Sequence, residues 1–419
     1  MNNKKKRRRA VITGIGIVSP IGIGKLAFWD NLLARKTGLS TIKSFDVSTY
    51  PSKIAAQVTD FDPSKFLTDR QIRYSSKPTI FALAAAKMAL TDAQFLDGEM
   101  DLSKTDVVIG SAVSSFDIVE SNVLKSETKG EAFEPGLVNP TEMMKVFISA
   151  PSAGIALMAD AQGYVTTIAS ACTSGVNAIG TAASRIEEGL GDIQITGGVD
   201  APITRYILST FCSARFVTEE TNPEKALRPF DKNRSKSALG EGSAIFILEE
   251  ERQAIARGAR IYARISGFGQ GNENVNELFL LEKEGVSWQK TMERALKAAN
   301  LNTVDHINAH GPSDKIIDQV EASVLHRIFK RASKIPVSSI KGSVGSGMAS
   351  AGVFQVAAAA LSIHHKIVPP TYNHKENDER CNLNVVRVAK KRGRLSSVLV
   401  NSHGLGGVNS SLVLQEVTV

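Results

Sequence analysis

A layered α/β fold built from two similar halves is what this sequence predicts, on three observations. Short apolar runs of strand length alternate with longer segments whose apolar residues recur at helical spacing. The order strand, helix, strand, helix implies a largely parallel sheet covered by helices. From about residue 285 the same order returns, dividing the chain into 1–255 and 256–419, although no clean sequence repeat accompanies it.

The first strand and its glycine turn span residues 10–19, AVITGIGIVS. Gly14 and Gly16 raise the idea of a dinucleotide loop, but Ser19 stands where the third glycine of G-x-G-x-x-G belongs, so that idea is set aside. Residues 24–35 form an amphipathic helix around Phe28, Trp29, Leu32 and Leu33. A second helix lies within 69–92, with Phe81, Leu83, Ala84, Met88 and Leu90 on its apolar side and Arg70 and Arg73 exposed ahead of it. A strand follows at 106–110, then a mixed stretch punctuated by Pro135, Pro140 and Pro151. Residues 164–168 read as a buried strand running into the turn Ala171-Cys172-Thr173-Ser174-Gly175. The helix beyond it carries Val176, Ile179, Ala183 and Ile186 and stops at Gly189. A strand begins at Ile193, residues 200–240 are turn-rich and contain RPFDKNR, and strands return at 244–248 and 262–265.

The second half supplies a helix at 288–299, a strand at 306–309 ending in the turn His310-Gly311, and a helix at 319–330. A glycine run from Lys341 opens an alanine-rich helix over 349–364, whose small residues 357–360 imply close packing on both faces. A strand pair near 398–400 and 412–414 brackets NSHGLGGVNSS.

Bulk properties exclude several classes. Of the net charge of +8, six positive charges sit in residues 4–9, a solvated tail rather than a basic folded face, and no nucleic-acid module is present. No apolar run reaches the roughly 18–20 residues of a membrane span, and no secretory leader is visible. The three cysteines, Cys172, Cys212 and Cys381, are an odd count with no CxxC, which suits a reducing, cytoplasmic setting rather than a disulfide scaffold.

Chemistry concentrates in four turns. Cys172 lies at the mouth of a helix N-terminus, where unpaired N–H groups and the macrodipole favour thiolate, although a small buried cysteine in a tight turn has the same local pattern. The others surround His310, Lys341 and residues 401–409. His306 and His310 have an i, i+4 spacing but lack the Glu of H-E-x-x-H and lie on a strand, so no metal site is expected.

Taken together and in order, ACTSGVNAIG, RPFDKNR with GEG, NAHG with Asp318 and Glu321, Lys341 with Gly345 and Ala351-Gly352, and Asn401-Ser402 with Gly404, Gly406, Gly407 and Asn409 resemble an elongating β-ketoacyl-acyl-carrier-protein synthase. RRAVITGIGIVSPIG and IYARISGFG also fit that family. The resemblance implies a thiolase-type fold, two similar halves in five α-β-α-β-α layers. It implies an acyltransferase in which the cysteine takes an acyl chain from a carrier protein and condenses it with malonyl-carrier. It implies a homodimer, or a heterodimer with a related chain. No cofactor is expected beyond the 4′-phosphopantetheine that the carrier brings.

By resemblance, Cys172 is the nucleophile, His310 the first catalytic histidine, and Lys341 the lysine paired with the acid at Glu321, with Asp318 as companion acid. The backbone N–H groups of Cys172 and Leu405 form the oxyanion hole, Phe211 walls the acyl pocket, and Arg70, Arg73 and Arg215 dock an acidic carrier. Some positions depart. The family's second histidine is Ser346, H-G-T-x-T has become His310-Gly311-Pro312-Ser313-Asp314, Ser237 replaces an aromatic, and the closing loop's two phenylalanines are His403 and Leu405. These changes gather on the malonyl side and spare Cys172, which the family's non-catalytic chain-length factors typically lack. The expectation is an active, altered synthase in a specialised fatty-acid or polyketide pathway, with His403 replacing the missing donor under the influence of Asp314. A transacylase that omits decarboxylation, and a subunit that only shapes a partner's tunnel, are the alternatives.

Overall fold

The computed structural model describes residues 8–96, 100–113, 115–126, 138–273, 275 and 281–418; residues 4–7 of the basic run and Pro135 lie outside these. The first half runs β1 (Ala10–Ser19), α1 (Lys77–Asp92), β2 (Asp106–Gly110), α2 (Ala150–Met158), β3 (Val165–Ile168), α3 (Ser174–Glu188), β4 (Ile193–Asp200) and β5 (Gly242–Glu250). The second runs β6 (Ala263–Asn272), α4 (Val286–Ala298), β7 (His306–Asn308), α5 (Lys315–Ile328), β8 (Pro336–Ser338), α6 (Ala349–His365), β9 (Ser397–Gly404) and β10 (Val408–Gln415).

The strand orders β1-β5-β4-β2-β3 and β6-β10-β9-β7-β8 are the same pattern twice, joined where Ala10–Ile12 of β1 pairs antiparallel with residues 263–265 of β6. Helices α3 and α6 pack against each other and against strands of both halves of the continuous sheet, while α1 and α2 cover the outer face of one half and α4 and α5 cover the outer face of the other. The layers therefore read helix, sheet, helix, sheet, helix. Alanines 357–360 of α6 are fully buried, because a helix between two sheets has no solvent face.

The sheet is mixed rather than largely parallel. The outer pairs, β2 with β3 and β4, β7 with β8 and β9, and β8 with the short strand Asn384–Val385, are parallel; the central five pairings are antiparallel. The cause is that β4–β5 and β9–β10 return beside themselves, the latter as a tight hairpin. Nor is β3 buried: it is the edge strand, with Tyr164 and Val165 exposed. The helix expected within 69–92 is two, Asp69–Arg73 and Lys77–Asp92, parted before Pro78 in the second helix's first turn. The turn-rich stretch contains a further helix, Arg205–Ser213, begun by Thr204, whose hydroxyl accepts from the Ile207 N–H.

The repeat is written in five residues per half. Ile12-Thr13-Gly14-Ile15-Gly16 of β1 and Ile265-Ser266-Gly267-Phe268-Gly269 of β6 occupy equivalent places. A Cβ on Gly14 or Gly16 would run into the carbonyls of Ala89 or Ala85 on α1, and one on Gly267 or Gly269 into those of Ala295 or Thr291 on α4. Both glycine pairs let a helix lie directly on its strand, which is why neither makes a phosphate loop.

Candidate active site

The nucleophile turn is cross-braced. Ala171 holds φ 49, a left-handed conformation costly for a residue with a Cβ. It is retained because the Ser174 hydroxyl donates to the Ala171 carbonyl at 2.6 Å and accepts the Ser170 N–H at 2.8 Å, while Thr173 Oγ1 donates to the Ser170 carbonyl at 2.7 Å. The result aims half-buried Cys172 out of the turn ahead of α3. A Cβ on Gly175 would strike Val353 and Ala349, so α3 and α6 meet at their N-terminal ends and bring the two halves' turns together.

The Cys172 thiol is pushed up to about 11: burial is the main cause, the Lys341 charge opposes it, and the Asp200 carboxylate adds to it. The helix N-terminus expected to favour thiolate is outweighed by desolvation. The backbone N–H groups of Leu405 and of Cys172 itself lower the thiol's pKa only in part. Iodoacetamide alkylation of Cys172, read by peptide mass, should therefore quicken about tenfold per pH unit from pH 7 to pH 9; a plateau below pH 8 would contradict this.

From the other half come His310, after β7, and Lys341, after β8. Lys341 is fully buried, and its Nζ donates to the His310 carbonyl, to His310 Nδ1 at 3.3 Å and to Gln355 Oε1 at 3.4 Å. The His403 N–H also donates to His310 Nδ1, at 3.3 Å. With Nδ1 accepting, the neutral imidazole carries its proton on Nε2. Burial first, then the charges of Lys341 and His403, hold His310 well below the usual histidine range, so it stays neutral. Burial also brings Lys341 down to about 8, against the pull of Glu321.

Glu321 makes no ion pair with Lys341 within 4 Å among the described residues. It accepts the N–H groups of His310 at 2.9 Å and Gly311 at 2.8 Å and the Asn401 amide at 3.1 Å, so it clamps the histidine turn and reaches the lysine only through its field. Asp318 is one shell further out. It accepts the Phe230 N–H at 2.7 Å and lies 3.3 Å from Arg234, and the Phe230 ring abuts Gly311 closely enough to exclude a Cβ there. Burial lifts Asp318 to about 8, with Arg234 opposing.

The closing loop completes the site. Gly404 lies against the nucleophile turn, where a Cβ would come 3.0 Å from the Cys172 nitrogen. His403 reaches a partner that sequence reasoning missed: its Nε2 is 3.1 Å from Glu273 Oε1, so the carboxylate it bonds is Glu273 and not Asp314. Asp314 instead caps α5, accepting the N–H groups of Ile316 at 2.8 Å and Ile317 at 3.0 Å, a role legible in a carboxylate one residue ahead of a helix.

Cys172, His310, Ser346, His403, Leu405, Asp314 and Phe211 line one pocket, along with Phe216, Leu239 and Ile317. Ser346 is half-buried, its N–H donating to the Ala238 carbonyl at 2.8 Å and its carbonyl accepting the Gly240 N–H at 3.1 Å. Arg70, Arg73 and Arg215 are exposed and lie outside this pocket. His306, away from the pocket, places Nε2 at 2.8 Å from the Ser338 hydroxyl. Also missed was Gln355, whose Nε2 donates to the Ala309 carbonyl at 2.7 Å and the Asn401 carbonyl at 3.1 Å. Asp200, which accepts N–H groups from Ala112, Val113 and Ala349, was missed as well.

A thiol sharing one pocket with a neutral histidine that a buried lysine backs, across two thiolase-like halves, defines an acyl-transferring condensing site. The comparisons agree. The β-ketoacyl synthase N-terminal domain matches residues 7–254 and the C-terminal domain residues 262–375. A 3-oxoacyl-[acyl-carrier-protein] synthase 2 of Coxiella burnetii is 35% identical, covering 98% of this chain and 99% of its own. A granaticin polyketide putative β-ketoacyl synthase 1 of Streptomyces violaceoruber is 34% identical, covering 97% of this chain and 98% of its own. Among solved structures, the ishigamide ketosynthase/chain length factor superposes with a TM-score of 0.91 at 28% identity, covering 98% of this chain and 100% of that one. A type II polyketide synthase acyl-carrier protein in complex with its ketosynthase gives 0.90 at 28%, covering 99% and 100%. The chain belongs to the β-ketoacyl synthase family, acyltransferases that form carbon–carbon bonds. Among the described residues no helix is long and apolar enough to cross a membrane.

Proposed function

We propose that this chain loads an acyl group on Cys172 and condenses it with a malonyl unit carried on an acyl carrier protein, giving a β-ketoacyl-carrier in a specialised fatty-acid or polyketide pathway of the cytoplasm. The carrying observation is that Cys172, His310 and Leu405 line one pocket, in which the backbone N–H groups of Cys172 and Leu405 are the oxyanion donors. The thiolate attacks the acyl thioester while those two N–H groups hold the developing oxyanion. The Nε2–H of His310 then donates to the enolate oxygen left when the malonyl thioester loses carbon dioxide, with Lys341 fixing the ring from behind. Asp318 and Glu321 keep that turn in place, and His403 takes the second donor position that Ser346 leaves empty.

Phe211 with Phe216 walls the acyl chain. Arg70, Arg73 and Arg215 receive the acidic carrier, whose 4′-phosphopantetheine supplies the thioester, so the chain needs no cofactor of its own. Edge strand β3 and the exposed Met143, Met144, Phe147, Leu157 and Tyr164 form the face for a second ketosynthase-like chain, since an unpaired strand edge beside apolar side chains invites pairing. Ser346 favours one second reading, transfer of the acyl group without decarboxylation. Steady-state incubation with acyl-carrier and malonyl-carrier should give β-ketoacyl-carrier by mass spectrometry; acyl exchange without any β-ketoacyl product would favour the transacylase.

A further inference from the structure

We infer that Glu273 is a positioning residue for the bond-forming step, holding the His403 ring so that Nδ1 faces the condensation pocket as the second donor to the enolate. The inference rests on the condensing function proposed above. Glu273 ends β6 and is buried. Burial works to raise its carboxyl, but the hydrogen bond and charge of His403 and the Glu282 N–H at 2.9 Å hold it below the ordinary range. An ionised carboxylate only accepts, so the proton of the 3.1 Å contact sits on His403 Nε2. Nδ1 has no hydrogen-bond partner among the described residues, and His403 lines the pocket with Cys172 and His310.

The ring is fixed from other sides too. The Trp288 ring lies 5.0 Å from it and the His310 ring 5.9 Å. Glu273 also grips the closing loop through its own N–H, which donates to the Gly407 carbonyl at 2.8 Å. His403 thus acts twice: its backbone N–H sets the His310 tautomer, and its side chain stands beside that imidazole. When the malonyl carbon–carboxylate bond breaks, its electron pair moves into the thioester as an enolate. His310 Nε2–H donates to that oxygen, and His403 donates from Nδ1 once the ring holds a second proton there, its cation balanced by the Glu273 carboxylate. The pair then forms the new carbon–carbon bond at the acyl-Cys172 carbonyl, and the carbon–sulfur bond breaks to return the Cys172 thiolate.

The test compares wild type, Glu273→Gln, His403→Phe and the double variant with acyl-carrier and malonyl-carrier, and reads Cys172 acylation by mass in the same samples. The expected result is a kcat for β-ketoacyl formation lowered about 10- to 100-fold in Glu273→Gln, as for removal of other histidine-orienting carboxylates. KM for malonyl-carrier should stay within about twofold, Cys172 should still acylate, and Glu273→Gln should cost nothing further in the His403→Phe background. An unchanged kcat, an equal loss in the His403→Phe background, or a parallel fall in acylation would overturn the inference. Wild type that makes no β-ketoacyl product would overturn the condensing function itself, a result distinct from product formation that ignores Glu273.

Discussion

Replacing Cys172 with alanine should abolish acyl loading, lowering condensation about 10⁴-fold or more, because no other group can carry the covalent intermediate. The other two thiols are no substitutes. Cys381 is buried and pushed up to about 12, chiefly by burial, and Cys212 lies outside the pocket that Cys172 lines. The fold should be unaffected, since the turn is braced by Ser170, Thr173 and Ser174 rather than by the sulfur. Intact-mass spectrometry after incubation with acyl-carrier checks this: one acyl adduct on wild type and none on Cys172→Ala. An adduct surviving in the variant would place the nucleophile elsewhere.

Arg234→Ala should be the most damaging change outside the pocket, destabilising by about 3–5 kcal/mol as expected when one partner of a buried ion pair is removed. Arg234 is 1% exposed and lies 2.6 Å from Asp378 and 3.3 Å from Asp318. It also donates to the carbonyls of Asp231 at 2.9 Å, Lys315 at 3.0 Å and Asp314 at 3.2 Å. Its loss leaves Asp378 with Arg380 alone and Asp318 without its guanidinium, and the damage passes through Asp318 and Phe230 to the His310 turn. Arg234→Lys should recover little, because one ammonium cannot reproduce the planar fork. Urea unfolding at neutral pH measures both variants; a loss below about 1 kcal/mol for Arg234→Ala would show the network to be dispensable.

Much of this was legible in the sequence because it is local. The Cys172 turn, the terminus of α3 at Gly189 and the alanine-rich α6 are set by neighbours within a few residues. The supporting groups are not local. Glu273 meets His403 across 130 positions, and Asp200 meets Ala349 across 149, so no spacing announces either pair. Asp314 lines the pocket with His403, but its local signal, a carboxylate heading a helix, was passed over for its nearness to His310 in the chain. Parallel pairing was overstated because an alternation of strands and helices does not reveal that β5 and β10 return antiparallel. The thiol's upward shift was hidden because helix-end chemistry is visible in sequence and desolvation is not.

The most direct measurement is a single turnover. Acyl-Cys172 enzyme, freed of acyl-carrier, is mixed with malonyl-carrier labelled at the carboxyl carbon, and acyl-enzyme, product and released carbon dioxide are followed together. If Cys172 and His310 carry a decarboxylative condensation despite Ser346, acyl-enzyme decays as β-ketoacyl-carrier appears, with one labelled carbon dioxide per product. Acyl-enzyme that persists, or that loses its acyl group without labelled carbon dioxide, would contradict it.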